Sequence, residues 1–191
     1  MTAQNKETER VVYPVVVVEV NGIKCRALLD TGAGSSYASS AILEHLGNRT
    51  LHKEFKRIEM MLGSANKVIR VYCVTIDSLD GKFCLETEVT KVDRETLLTL
   101  DNSGYAEIME KYPYLDGVHM DDSDEKPDLP VHIILGASTY AKIRTETIPK
   151  IGPPGEPVAE LTKFGWTIMS PGKEVDLSNM FLTQTMNSYA S

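Results

Sequence analysis

Asp30 is the residue in this chain best placed to do chemistry. It ends the apolar pair Leu28-Leu29 and is followed at once by Thr31-Gly32-Ala33-Gly34-Ser35-Ser36. Apolar residues carry such a run into a core, so the carboxylate should emerge at a buried or half-buried edge. A lone carboxylate there is costly unless hydrogen-bond donors compensate it. The glycines let the backbone turn back and bring its N–H groups close. A loop of this kind is either a tight turn, where Asp, Thr and Gly are all common, or a reactive site.

Other chemistries find less support. Cys25, Cys73 and Cys84 form no Cys-x-x-Cys pair, and each lies in an apolar, strand-like run. They are expected to be buried free thiols of a reducing compartment. His45, His52, His119 and His132 show no metal-ligand spacing, so no metal or other cofactor is expected. Residues 116–130 carry Asp121, Asp122, Asp124 and Glu125. They lack the central Gly and terminal Glu of a calcium loop and read as a solvated loop.

The elements that must position Asp30 are legible around it. Residues 11–20 are rich in valine and read as a strand, with Pro14 marking an edge or a break. Asn21-Gly22 is a favoured hairpin pair, and residues 23–29 form the return strand that delivers Asp30. On that strand Ile23, Cys25, Ala27 and Leu29 share one face, with Lys24 and Arg26 on the other. A short helix follows over 39–46, capped by serine and ended by Gly47. Strands at 54–62, 67–76 and 82–92 are separated by turns at 63–66 and 77–81, giving a β-meander.

Further on, residues 103–111 fit a helix stopped by Pro113. Residues 131–136 read as a short buried strand ending in Gly136, and 137–143 as a helix with Ser138 at its N-cap. Two more strands are expected at 158–163 and 165–169. The domain therefore spans 11–172 with an insert at about 93–130, between a flexible segment at 1–10 and a tail or linker at 173–191.

Composition sets the outer bounds. The chain has 191 residues, 42% hydrophobic and 25% charged, enough for one substantial core. A net charge of −7 without a basic block argues against nucleic acid as a partner. No apolar run approaches the roughly 18–20 residues that span a bilayer, and residues 1–10 lack the apolar core of a signal peptide. Neither a membrane nor a nucleic-acid partner is expected, and the location should be cytoplasmic.

Three motifs occur in a set order: Leu29-Asp-Thr-Gly-Ala-Gly-Ser-Ser-Tyr37, Ile133-Ile-Leu-Gly-Ala-Ser138, and Glu156-Pro-Val-Ala159 with Leu161-Thr-Lys-Phe-Gly-Trp166. With them the chain resembles the retropepsin-like aspartic peptidases, whose Asp-Thr-Gly loop is braced by a downstream hydrophobic-hydrophobic-Gly strand. More narrowly, it looks like the peptidase region of Pao/BEL-type retrotransposon polyproteins, over about residues 11–172. It departs from that pattern at Ala33, where the family often has Ser, and at Ser138, where it often has Asp. Ser and Asp both cap helices well, so the second change keeps the fold.

The resemblance implies a mainly β, closed retropepsin-like barrel with one or two short helices. It implies Asp30 as the catalytic residue, Thr31, Gly32 and Ala33 as its loop, and Ile134, Leu135 and Gly136 as the supporting strand. By chain order, Gly63, Ser64, Ala65 and Asn66 would form a flap over the substrate. The chemistry requires two carboxylates facing one water, sharing one proton because close like charges do not both ionise readily. This sequence holds a single Asp-Thr-Gly and no Asp-Ser-Gly. The second carboxylate must then come from another copy, which makes the partner a second identical chain. The substrate would be a peptide or polyprotein, cleaved in the cytoplasm or within retroelement particles. The alternative is a catalytically silent or domesticated module that keeps the fold to bind or scaffold.

Overall fold

The computed structural model describes residues 10–45, 50–60 and 63–172; for 50–60 and 64–67 it describes the backbone path alone. The expected segment at 1–10, apart from Arg10, and the expected tail at 173–191 lie outside the described residues.

Strands β1 (Val15–Val20) and β2 (Ile23–Leu29) pair antiparallel from Val15↔Leu28 to Val20↔Ile23. Asn21 and Gly22 join them with positive φ of 49° and 78°, the left-handed backbone that a two-residue hairpin turn demands. Strand β3 (Tyr37–Ser39) leads into helix α1 (Ser40–Glu44), whose N-cap Ser39 accepts the Ile42 N–H. The expected end of that helix at Leu46-Gly47 lies outside the described residues.

Strands β4 (Thr50–Met60) and β5 (Gly63–Ser78) form a long hairpin. The turn expected at Gly63–Asn66 is not there. Gly63 pairs with Met60 and Asn66 with Arg57, so these residues are strand. Polar Ser64 and Asn66 look turn-like in sequence, but a long two-strand ladder satisfies their backbone groups equally well. Strand β6 (Cys84–Val92) completes the meander.

The middle of the chain is more ordered than a loop. It holds β7 (Leu98–Asp101), helix α2 (Tyr105–Lys111), a turn of 3-10 helix at Pro113–Leu115 and β8 (Asp128–Val131). Strands β7 and β8 pair antiparallel, and Leu97, Leu115 and Val131 are fully buried. Then come β9 (Ile133–Leu135), helix α3 (Ala137–Ile143), and a separate sheet of β10 (Lys150–Ile151), β11 (Val158–Thr162) and β12 (Gly165–Met169).

The main sheet runs β1-β2-β9-β3-β6-β5-β4, and β5 also pairs with β1. That last pairing, from Ile76 to Ser78 against Val18 to Val20, closes six strands into a barrel and leaves β4 appended to the free half of β5. The expected mainly β closed barrel with few short helices is therefore what the chain forms. Val18, Val20, Ala27, Ile76, Ile133, Leu135 and Ile143 fill its core with no exposed surface. Alternation along β1 and β2 turns every second apolar side chain inward, and complete closure leaves no edge among these six strands to be covered separately.

Three local expectations are corrected. Ser138 lies inside α3, whose N-cap is Gly136 without a side-chain cap bond. Of the thiols only Cys25 is buried; Cys73 and Cys84 are exposed, because their strands have one face outside the barrel. The acidic stretch is not simply solvated, since Asp122 and Asp124 both bind the Arg26 guanidinium.

Candidate active site

Asp30 stands one residue beyond β2, where the ladder with β9 ends. β9 runs parallel to β2, with Leu29 opposite Leu135. The Asp30 N–H then donates to the Leu135 carbonyl at 3.0 Å, extending that ladder by one bond. From there the chain folds back on itself. Gly32 N–H donates to Asp30 Oδ1 at 2.9 Å, and Ala33 N–H to the Asp30 carbonyl at 3.1 Å. One oxygen of the carboxylate is thus oriented by the loop's own backbone, as an Asx turn does. Asp30 is half-buried, while Thr31 and Gly32 are exposed beside it.

The loop is pinned from behind. Ala33 is 2% exposed and packs with Leu28 and Ile134. Its carbonyl accepts the Ala137 N–H at 2.9 Å, the first residue of α3. Gly136 N–H donates to Ser36 Oγ at 3.0 Å, and that hydroxyl also meets Thr139 Oγ1 at 3.0 Å. Gly136 is required for its smallness. A Cβ placed on it would stand 2.5 Å from the Ser35 carbonyl oxygen and 2.8 Å from that of Ala33. The backbone of the loop passes over Gly136 where no side chain fits.

The tertiary structure thus gathers Asp30, Thr31, Gly32 and Ala33 with Ile134, Leu135 and Gly136 in one place. Gly63 and the backbone of 64–66 belong to the β4–β5 hairpin. Sequence reasoning gave no separate role to Ser36 or Thr139, which tie the loop to α3. Ser36 stands within the motif itself; nothing in the sequence around Thr139 marked it. Tyr37, 6% exposed, has its phenol pushed up by burial and then by the negative charge of Asp30.

Beside the loop lies a cavity of about 380 Å³, with Gly34, Ser36, Val71, Glu88 and Ser138 in its walls. Its lining starts at Gly34, four positions past Asp30, and does not include Asp30. Among the described residues, no three His, Cys, Asp or Glu side chains gather as metal ligands would. No helix among them is long and apolar enough to cross a membrane.

Three solved structures are similar to this chain. The protease of simian foamy virus (mac) shares 18% identity at a TM-score of 0.35, covering 66% of this chain and 91% of its own. The retroviral protease-like domain of Ddi1 from Leishmania major shares 11% at 0.40, covering 87% and 98%. A retropepsin-like aspartic protease from Rickettsia conorii shares 10% at 0.38, covering 84% and 88%. No curated protein sequence matches the chain. Residues 16–95, which carry the β1–β2 hairpin, Asp30 and its loop, and the β4–β6 meander, are similar to the aspartyl protease family.

Proposed function

We propose that this chain is an aspartic endopeptidase, active as a homodimer in which each copy supplies one Asp30. The observation that carries this reading is the position of that carboxylate. It ends a core strand, is held by Gly32 N–H and braced by Leu135, and lies inside the segment similar to aspartyl proteases. Exposure of Thr31 and Gly32 leaves the front of the loop open for a second copy related by a two-fold axis.

In such a pair the two carboxylates face one water and hold one proton between them. The ionised one takes a proton from the water as it attacks the scissile carbonyl; the protonated one donates to the carbonyl oxygen. Gly32, without a side chain, leaves room at the axis for the water. The β4–β5 hairpin, including Gly63, Ser64, Ala65 and Asn66, would close over the peptide and exclude solvent. The substrate is a polypeptide, in our reading the retrotransposon polyprotein of a Pao/BEL-type element, processed in the cytoplasm or in particles.

The test is a peptide-library digest with the wild type and Asp30→Asn at several protein concentrations. Cleavage should vanish in the variant while its unfolding curve stays close to the wild type. Specific activity should fall on dilution as the dimer dissociates, and the rate should be greatest from acidic to near-neutral pH. Cleavage by Asp30→Asn overturns the assignment. A folded wild type that stays monomeric and cleaves nothing favours a peptide-binding module built on the same barrel.

A further inference from the structure

The sheet β10–β11–β12 has two unlike faces. Ala159 and Ile168, both fully buried, pack on one side with Val12, Leu115 and Val118. Alternation places Ile151, Val158 and Met169 on the other. The register aligns them in a row across the three strands, Ile151 opposite Val158 and Val158 opposite Met169. Ile151 is 68% exposed and Met169 50%, and Ile148, three residues upstream, is 84% exposed. With Val68, they are the large hydrophobic side chains left exposed among the described residues.

The same face is covered one pair further along. Glu160 lies opposite Thr167, and its carboxylate accepts the Tyr140 hydroxyl and pairs with Arg144 at 3.5 Å. Helix α3 and the residue after it thus close one end of the face and leave the apolar row bare. The row is a shelf bounded at that end by these polar contacts.

We infer that the shelf is a docking site for residues 173–191 of the same chain, with Met180-Phe181-Leu182 seated against Ile151 and Met169. The chain leaves the described residues at Gly172, three positions past Met169. Phe181 lies nine positions beyond Gly172, enough to reach about 30 Å when extended. The row is only about 10 Å across, two inter-strand spacings. Met180-Phe181-Leu182 is the one run of three apolar residues in a mostly polar segment. Two apolar surfaces tethered this closely meet at an effective concentration that a free partner must exceed. Burial of both from water drives the contact. This inference does not depend on the peptidase reading.

Two experiments on the full-length chain test it. The first is binding of 8-anilinonaphthalene sulfonate, a dye that reports exposed apolar surface. Phe181→Ser with Leu182→Ser should raise dye fluorescence several-fold, and adding Ile151→Ser with Met169→Ser should return it to the wild-type level. The second is cross-linking of Ile151→Cys to Phe181→Cys, with Cys73→Ser and Cys84→Ser removing competing thiols. Oxidation should give a disulfide within one chain at all protein concentrations. No rise in fluorescence, or no disulfide, overturns the inference. A disulfide between chains, growing with concentration, overturns it in favour of a second copy on the shelf.

Discussion

Arg26 holds Asp122 across 96 residues of chain. The guanidinium donates to both carboxylate oxygens, Nε to Oδ2 at 2.5 Å and Nη2 to Oδ1 at 3.0 Å. It also donates to Asp124 at 2.9 Å and to the Pro130 carbonyl at 3.4 Å. The side chains of Arg26 and Asp122 are 12% and 7% exposed. Arg26 lies on β2, four residues before Asp30, so this contact fastens the middle of the chain to the strand that delivers the carboxylate.

Arg26→Ala strands Asp122 in a site built for an ion pair. Removing one partner of a buried pair costs about 3–5 kcal/mol, and the exposure of Asp124 puts this one at the lower end. Urea unfolding should show a loss of about 3 kcal/mol relative to the wild type. A loss below about 1 kcal/mol would place the pair with surface ion pairs.

Asp124 predicts a dependence on pH. The Lys126 N–H, and then the Arg26 side chain, hold its carboxyl below the ordinary value of 3.8. A carboxyl lowered in the fold stabilises above its unfolded pKa, and that contribution is lost as pH falls through the folded one. The wild type should therefore lose stability as pH drops below about 4. Asp124→Asn should flatten that decline, measured as urea midpoints across the acidic range, and leave the curve above pH 6 nearly level.

Gly136→Ala should be among the most damaging single changes in the chain. The added carbon meets backbone oxygens of Ser35 and Ala33, which belong to the loop and do not swing aside as a side chain would. Overpacking of this severity costs about 3 kcal/mol or more. Thermal unfolding should report the loss. Any peptide cleavage should fall with it, because the same shift displaces the loop of Asp30.

The three thiols should separate by reactivity. Burial pushes Cys25 up to about 12, so it stays protonated and inaccessible in the native state. Cys84 is exposed, but its hydrogen bond with Asp77 raises it. Cys73 is exposed on β5. Timed alkylation at pH 8 with peptide mapping should label Cys73 first, Cys84 next and Cys25 only on unfolding. Early labelling of Cys25 would contradict the packing of β2 in the barrel.

Much of the barrel was legible because its signals are local. Valine-rich β1, Asn21-Gly22 and the alternation on β2 specify a hairpin without help from the rest of the chain. Ser39 capping α1, and helices near 103–111 and 137–143, follow from short-range rules as well. The Asp30 loop and the Ile133–Gly136 strand could be paired only through the resemblance, since Asp30 and Ile133 are 103 positions apart.

What failed had competing local signals. Gly63 to Asn66 has turn composition, yet its pairing with Arg57 to Met60 keeps it in strand. Ser138 is a good cap residue, but the close approach of Ser35 to Gly136 sets where α3 begins. Lys150–Ile151 and Leu98–Asp101 are too short to announce themselves, and become strands only because β11 and β8 lie alongside.

The order of residues alone dictates that a carboxylate ends a core strand, that glycines follow it at once, and that each chain carries a single Asp-Thr-Gly. These are matters of residue type, period and count. Folding of the whole chain decided how the Asp30 loop is braced: by Leu135 on its backbone, and by Ser36 joined to Gly136 and Thr139. It also turned an acidic loop into a clasp on Arg26. Both outcomes depend on distances between residues about 100 positions apart, which barrel closure sets and no local pattern encodes.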